Sequence, residues 1–348
     1  MNMRPKRGLG AAAAALLLLG GIVGSQGGAL SHPGPDERPA SRRAGTTPVG
    51  PARATSEWRS ETITTSTGET VRLEVSEAYT DPAFARAWGE FFGGLVHGTE
   101  LGQVTVRIVT PAELPASCGP RALGCYTRGM IVIPGEQAGG VEAAEIARHE
   151  YGHHVAATRQ NPPWNASTWG AKRWATQAEI CSRAAGGEIE PDSYENYELS
   201  PREAFAEVYR VLSDRRAGVT GLTWSIVDES FIPDDAALRA VEEDVTKPWV
   251  GATTTTVGAR FRPGGPRRWT RRIATPLDGT LTVELRLRAG RTDRLELLGA
   301  DGTVLARGLW SGTSAKRLAF VVCGQRSLRV RVTLGGAAGP FALSIARP

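Results

Sequence analysis

Residues 149–154 read His-Glu-Tyr-Gly-His-His, and three of the chain's five histidines fall in this hexapeptide. On a helix, His149 and His153 stand at i and i+4, so both imidazoles leave one face a turn apart. Two ring nitrogens so placed can reach one tetrahedral Zn²⁺ at about 2.0–2.1 Å each. Glu150 adjoins the first ligand and can reach a water at the open coordination position. The chemistry such a pattern, H-E-x-x-H, can perform is hydrolysis by zinc-activated water, with Glu150 as the general base. His154 lies about 100° round the helix from His153, and reads as a support for the ligands or an exposed residue.

A catalytic zinc needs a third protein ligand. The remaining histidines, His32 and His97, lie in a linker and far upstream. Position 159, where the metzincin pattern places a third His, is Arg159. A carboxylate is therefore expected. Residues 200–210, SPREAFAEVYR, put Glu203 and Glu207 at i and i+4 on one helix face. Glu203 is the first choice for zinc, with Glu207 accepting a hydrogen bond from a ligand histidine. The run from Ser200 to Glu203 also spells a capping box. If Glu203 serves the cap, Glu207 and then Glu179 follow as candidates.

HEYGHH followed some fifty residues later by EAFAE resembles the gluzincin superfamily of zinc peptidases, in the lethal-factor-type form E-x-F-A-E. That resemblance implies one zinc per chain, bound by His149, His153 and Glu203. It also implies a tyrosine before the third ligand that stabilises the oxyanion. Tyr197 is the nearest match, one residue closer than the pattern places it, and Tyr194 the alternative. In such folds the strand before the active-site helix is the edge that binds substrate, here residues 130–133. The last 95 or so residues resemble the pre-peptidase C-terminal type of β-sandwich, carried by GTLTVELR, by the segment around Leu297, Gly299, Asp301 and Gly302, and by VCGQRSLRVRV. That implies a role in secretion, stability or docking.

The elements that must hold this site follow from periodicity. Residues 1–29 read as a signal peptide, with Arg4, Lys6 and Arg7 before an apolar run. Residues 30–56, rich in Pro, Arg, Gly, Ser and Thr, read as a disordered linker or pro-segment. Strand patterns at 71–75, 103–109 and 130–134 and helix patterns at 81–96, 141–157, 174–184, from Ser200, and 234–245 make 57–250 an α+β domain, zincin-like by the resemblance. Period-two runs at 281–288, 294–300 and 327–334, with turn signals at Asp278-Gly279 and Asp301-Gly302, make 251–348 an all-β, jelly-roll-like sandwich.

Four cysteines in an exported chain suggest disulfides. Cys118 and Cys125 flank a Gly- and Pro-containing loop and form the natural pair. Cys181 and Cys323 pair across the two domains or stay as thiols. Of 41 basic residues only Lys6, Lys172, Lys247 and Lys316 are lysine. Such Arg dominance reads as coding bias rather than nucleic-acid binding, and the cluster Arg267, Arg268, Arg271, Arg272 as a solvated face. The expected protein is thus a secreted endopeptidase acting on peptide or protein substrates. No nucleic-acid partner and no stable membrane insertion after signal cleavage are expected, and the oligomeric state is open. The alternatives are an inactive zinc-binding docking or adhesion protein and a carbohydrate-binding surface protein using Trp269 or Trp310.

Overall fold

The computed structural model describes residues 58–193, 196–219, 227–288, 290–311 and 314–348. The expected signal peptide, the linker with His32, and Tyr194 lie outside these residues. Among the described residues no helix is long and apolar enough to cross a membrane.

Five short strands form one mixed sheet: β1 (Trp58–Thr64), β2 (Thr70–Ser76), β3 (Thr105–Val109), β4 (Cys125–Thr127) and β5 (Met130–Pro134), in the order β1-β2-β3-β5-β4. β2, β3 and β5 run parallel, while β1 and β4 pair antiparallel at the two edges. The apolar run of β5 suits a strand flanked on both sides. The structure accordingly pairs it with β3 and with β4. Residues 130–133 are therefore not a free edge. β4 covers them, a strand of three residues whose pattern is too short to read from sequence.

Among the described residues this part of the chain has eight α-helices: α1 (Pro82–Gly93), α2 (Leu114–Cys118), α3 (Ala143–Thr158), α4 (Ala166–Trp169), α5 (Lys172–Gln177), α6 (Ile180–Ala185), α7 (Pro201–Arg216) and α8 (Asp235–Thr246). Asp81 caps α1 by accepting from the Ala83 amide, with Pro82 opening the helix. The single helix expected over 174–184 is two. Glu179 takes a left-handed φ of 54° between α5 and α6 and interrupts the ladder. Residues 146, 147, 151 and 155 of α3 and 204, 205, 208, 209 and 212 of α7 share one core with β2, β3 and β5.

From Thr253 the chain is all strand. β6 (Thr253–Phe261), β7 (Arg268–Ala274), β8 (Gly279–Arg286), β9 (Arg294–Leu298), β10 (Val304–Arg307), β11 (Leu309–Trp310), β12 (Ala315–Val322), β13 (Ser327–Thr333) and β14 (Gly339–Arg347) build two antiparallel sheets. Their orders are β10-β9-β13-β7 and β11-β12-β8-β14-β6. Alternate residues, such as Leu281, Val283 and Leu285 on β8 and Leu328, Val330 and Val332 on β13, turn inward to a second core. The sheets form a β-sandwich.

Two covalent links and a buried lysine tie the molecule together. Cys118 bonds Cys125, and Cys181 on α6 bonds Cys323 after β12, 142 residues away. Lys172 is fully buried. Its ammonium donates to the carbonyls of Pro162 at 2.7 Å and Asp278 at 3.0 Å, and sits 5.0 Å from the Trp249 ring. Asp278, read from the sequence as part of a turn, is buried as well. Its amide donates to Thr176, and its carboxylate accepts from the Gly324 amide and Arg326. So many partners from both parts of the chain leave no room for a solvent-facing turn.

Candidate metal centre

α3 and α7 cross at their small residues. A Cβ on Gly152 would lie 2.7 Å from the Ala206 Cα and 2.9 Å from its carbonyl oxygen. Only glycine allows this approach. It brings the turns that carry His149, His153 and Glu203 face to face.

At that crossing the His149 and His153 Nε2 atoms each stand 3.2 Å from Glu203 Oε2. The donor atoms of the three side chains all lie within 4.8 Å of one another. Two ligands bound at about 2.0–2.1 Å to a tetrahedral ion stand roughly 3.3 Å apart. The triad therefore fits a metal ion. Its chemistry fits too, since two imidazoles and a carboxylate suit zinc or another late transition metal. Ser200 makes no side-chain cap bond, so Glu203 is not held by the capping box and turns to the histidines. Glu179 is exposed at the head of α6, away from the triad.

Glu207 sits one turn further along α7. Its Oε2 meets His149 Nδ1 at 3.2 Å, while Oε1 accepts from Arg210 Nη2 at 2.5 Å and Nε at 3.0 Å. Arg210 is buried, and its Nη1 also bonds Asp214 at 2.6 Å and Glu145 at 3.1 Å. Asp214 in turn pairs with Arg148 at 2.9 Å, next in sequence to His149. An ionic chain thus runs from His149 through Glu207, Arg210 and Asp214 back to α3. Sequence reasoning missed it, although the i+3 and i+4 spacings from Glu207 to Arg210 and from Arg210 to Asp214 were there to read.

The fields in this site follow from that arrangement. Burial alone would lower the His149 pKa, but its hydrogen bonds to Glu203 and Glu207 outweigh it and push it to about 10. The same carboxylates that favour a proton there favour a metal cation. Glu203 is desolvated, yet the charges and hydrogen bonds of His153 and His149 hold it well below the usual carboxylate range. Glu150 is buried, and that desolvation raises its pKa despite the pull of the two histidines. A raised carboxylate suits a group that must accept and return a proton.

Tyr197 reaches the triad. Its hydroxyl donates to Glu203 Oε2 at 2.8 Å while 37% of the residue stays exposed. Burial of the hydroxyl, then the Glu203 charge, raise its pKa, so it keeps its proton. His154 is neither exposed nor a partner of the ligands. It is buried, with Nε2 at 2.9 Å from the Glu100 carbonyl and Nδ1 at 3.3 Å from the Tyr126 hydroxyl, because its face of α3 packs on the sheet. His97 bonds the carbonyls of Gly93 and Gly98.

One further contact escaped the sequence. Gly124 precedes Cys125 in the disulfide-closed loop, and a Cβ there would stand 2.7 Å from Ile146 Cγ2 and 2.9 Å from Glu150 Oε1. The loop backbone lies directly against the carboxylate of Glu150.

No known family model matches this chain, and no curated protein matches it. Among solved structures it is similar to the pre-peptidase C-terminal domain of collagenase from Bacillus anthracis, at 16% identity over 26% of this chain and 88% of that one, with a TM-score of 0.23. It is also similar to a periplasmic inhibitor of g-type lysozyme, PliG of Aeromonas hydrophila, at 6% identity over 28% and 85% of the two chains, TM-score 0.20. A third is aminopeptidase A of Legionella pneumophila in complex with aspartic acid, at 12% identity over 81% of this chain, TM-score 0.24. The match spans 36% of that aminopeptidase. With TM-scores this low, none of these likenesses carries an argument about the site.

Proposed function

We propose that this protein is an exported zinc-dependent endopeptidase of the gluzincin type, with residues 57–250 as a zincin-like catalytic domain and 251–348 as an accessory β-sandwich. The reading rests above all on the buried convergence of His149, His153 and Glu203, two nitrogens each 3.2 Å from one carboxylate oxygen. Those three residues would hold the zinc. When bound, it lowers the pKa of a water and polarises the scissile carbonyl.

The chain's own residues supply the rest. Glu150, buried and raised in pKa, takes a proton from the attacking water and returns it to the leaving amine. Glu207 accepts the Nδ1 proton of His149, which fixes the ring with Nε2 toward the ligand set. The Tyr197 hydroxyl, protonated and beside Glu203, is the donor available to a developing oxyanion. The substrate's extended backbone adds to β4, the edge strand of the sheet, which lies beside the Glu150-contacting loop. Export is supported by the two disulfides.

The test is metal content and casein hydrolysis of the exported protein beside Glu150→Gln. The expected outcome is one zinc in both and a loss of about 10²–10⁴ in rate in the variant. Zinc without any turnover in the wild type would favour an inactive docking protein. Absence of zinc would end the proposal.

A further inference from the structure

Charge is unequally divided between the two parts of the molecule. Residues 253–348 hold 17 Arg and Lys against 5 Asp and Glu, a surplus of 12. Residues 58–250 hold 17 against 28, a deficit of 11. Within the sandwich the positive charge is again uneven. The register pairs Arg272 with Arg329, Thr270 with Arg331 and Arg268 with Thr333 across β7 and β13, then Arg331 with Glu296 and Thr333 with Arg294 across β13 and β9. These positions share the outward face of the four-stranded sheet, and Arg307 on β10 pairs opposite Glu296. Glu296, the one acid among them, is buried between Arg331 at 2.9 Å and Arg307 at 3.7 Å. The outward face of the other sheet carries less positive charge: Arg260, Arg286 and Arg317 stand there with Glu284, among Thr280, Thr282, Ala342, Ser344 and Ala346.

We propose that this arginine face docks the protein on an anionic lipid surface. Arg268, Arg272, Arg294 and Arg307 are exposed on an open sheet. Arg268 and Arg272 stand four residues apart on β7, about 13 Å, and Arg294 lies two strands across from Arg268, about 10 Å, an array that matches a plane of phosphates rather than a single anion. Among the described residues no aromatic ring stands in the outward register of this face to stack a nucleobase. Trp269 belongs to the inward register and packs edge-on against Phe341 at 5.5 Å. Just past Arg307, at the edge strand β11, Trp310 is 49% exposed. Lys316 covers the Trp310 ring at 4.5 Å. A cation over an exposed tryptophan suits a bilayer interface. The acidic remainder of the chain is repelled by the same surface, so the molecule meets it sandwich first. This inference is independent of whether the metal centre hydrolyses peptides.

The test is co-sedimentation of the full exported protein with vesicles of phosphatidylcholine plus phosphatidylserine and with pure phosphatidylcholine, at low and high salt. Binding confined to the anionic vesicles and falling steeply with salt is expected. The exposed-face variant Arg268→Ser/Arg272→Ser/Arg294→Ser should weaken it about 100-fold, near fivefold per arginine. Arg260→Ser/Arg286→Ser/Arg317→Ser removes the same charge elsewhere on the sandwich and should bind nearly as the wild type. Equal melting temperatures establish that both variants fold. No binding at low salt, equal loss in the two variants, or tighter binding to duplex DNA than to anionic vesicles would each overturn the proposal.

Discussion

Arg210 has no place in any reading of the hexapeptide, yet three carboxylates depend on it. With Arg210→Met, Glu207 and Asp214 remain buried after losing their shared guanidinium. Breaking a buried pair from one side costs about 3–5 kcal/mol, which denaturant unfolding would measure. The loss also frees Glu207 from its position under His149, so zinc affinity in a chelator competition should fall about 10–100-fold. Arg210→Lys should recover part of the stability and little of the affinity, because a point charge cannot grip Glu207 through two nitrogens. Tyr197→Phe acts differently. It leaves the ligands in place, so zinc content and KM should hold while kcat drops about 100-fold. Equal kcat in that variant would remove Tyr197 from the chemistry.

The two helices that carry the triad were legible because each is 16 residues long, enough to show a helical period. α3 was expected over 141–157 and spans Ala143–Thr158, and α7 was expected from Ser200 and opens at Pro201. Their crossing was not legible, since it depends on what Gly152 lacks. Gly152→Ala would drive a methyl into the Ala206 backbone. The helices must then part, at about 1–3 kcal/mol. Because one helix carries both histidines and the other Glu203, zinc affinity should fall together with thermal stability; a variant that binds zinc normally would show that the crossing does not set the ligand spacing. β4 and the contact of Gly124 with Glu150 were hidden for a related reason. A three-residue strand has no measurable period, and a loop closed by Cys118 and Cys125 reveals its length but not what it touches. The sandwich read correctly as strands where both faces alternate, at β8, β9 and β13. It was silent at β7, where the edge position exposes even residues of inward register such as Arg271.

At the scale of the whole molecule, Lys172 links stability to pH. Burial pushes its ammonium down to about 8 from 10.5, against the pull of Asp278 and Asp244. Between those values the unfolded chain binds the proton that the folded chain has released, so stability rises with pH across that window. Below pH 8 both forms are charged and the destabilisation is present in full. The melting temperature of the wild type should therefore climb relative to Lys172→Met from about pH 8 to 10.5, and parallel curves would contradict the assignment. The bond from Cys181 to Cys323 has a different consequence. It spans 142 residues, among them Glu203, Glu207 and the stretch that joins the last helix to the first strand of the sandwich. A foreign protease that nicks the backbone anywhere inside that span leaves two fragments still fastened to each other. The clipped molecule would migrate as a single species on a non-reducing gel and fall into two only when thiol is added. A cut between α8 and β6 would leave His149, His153 and Glu203 on the same fragment.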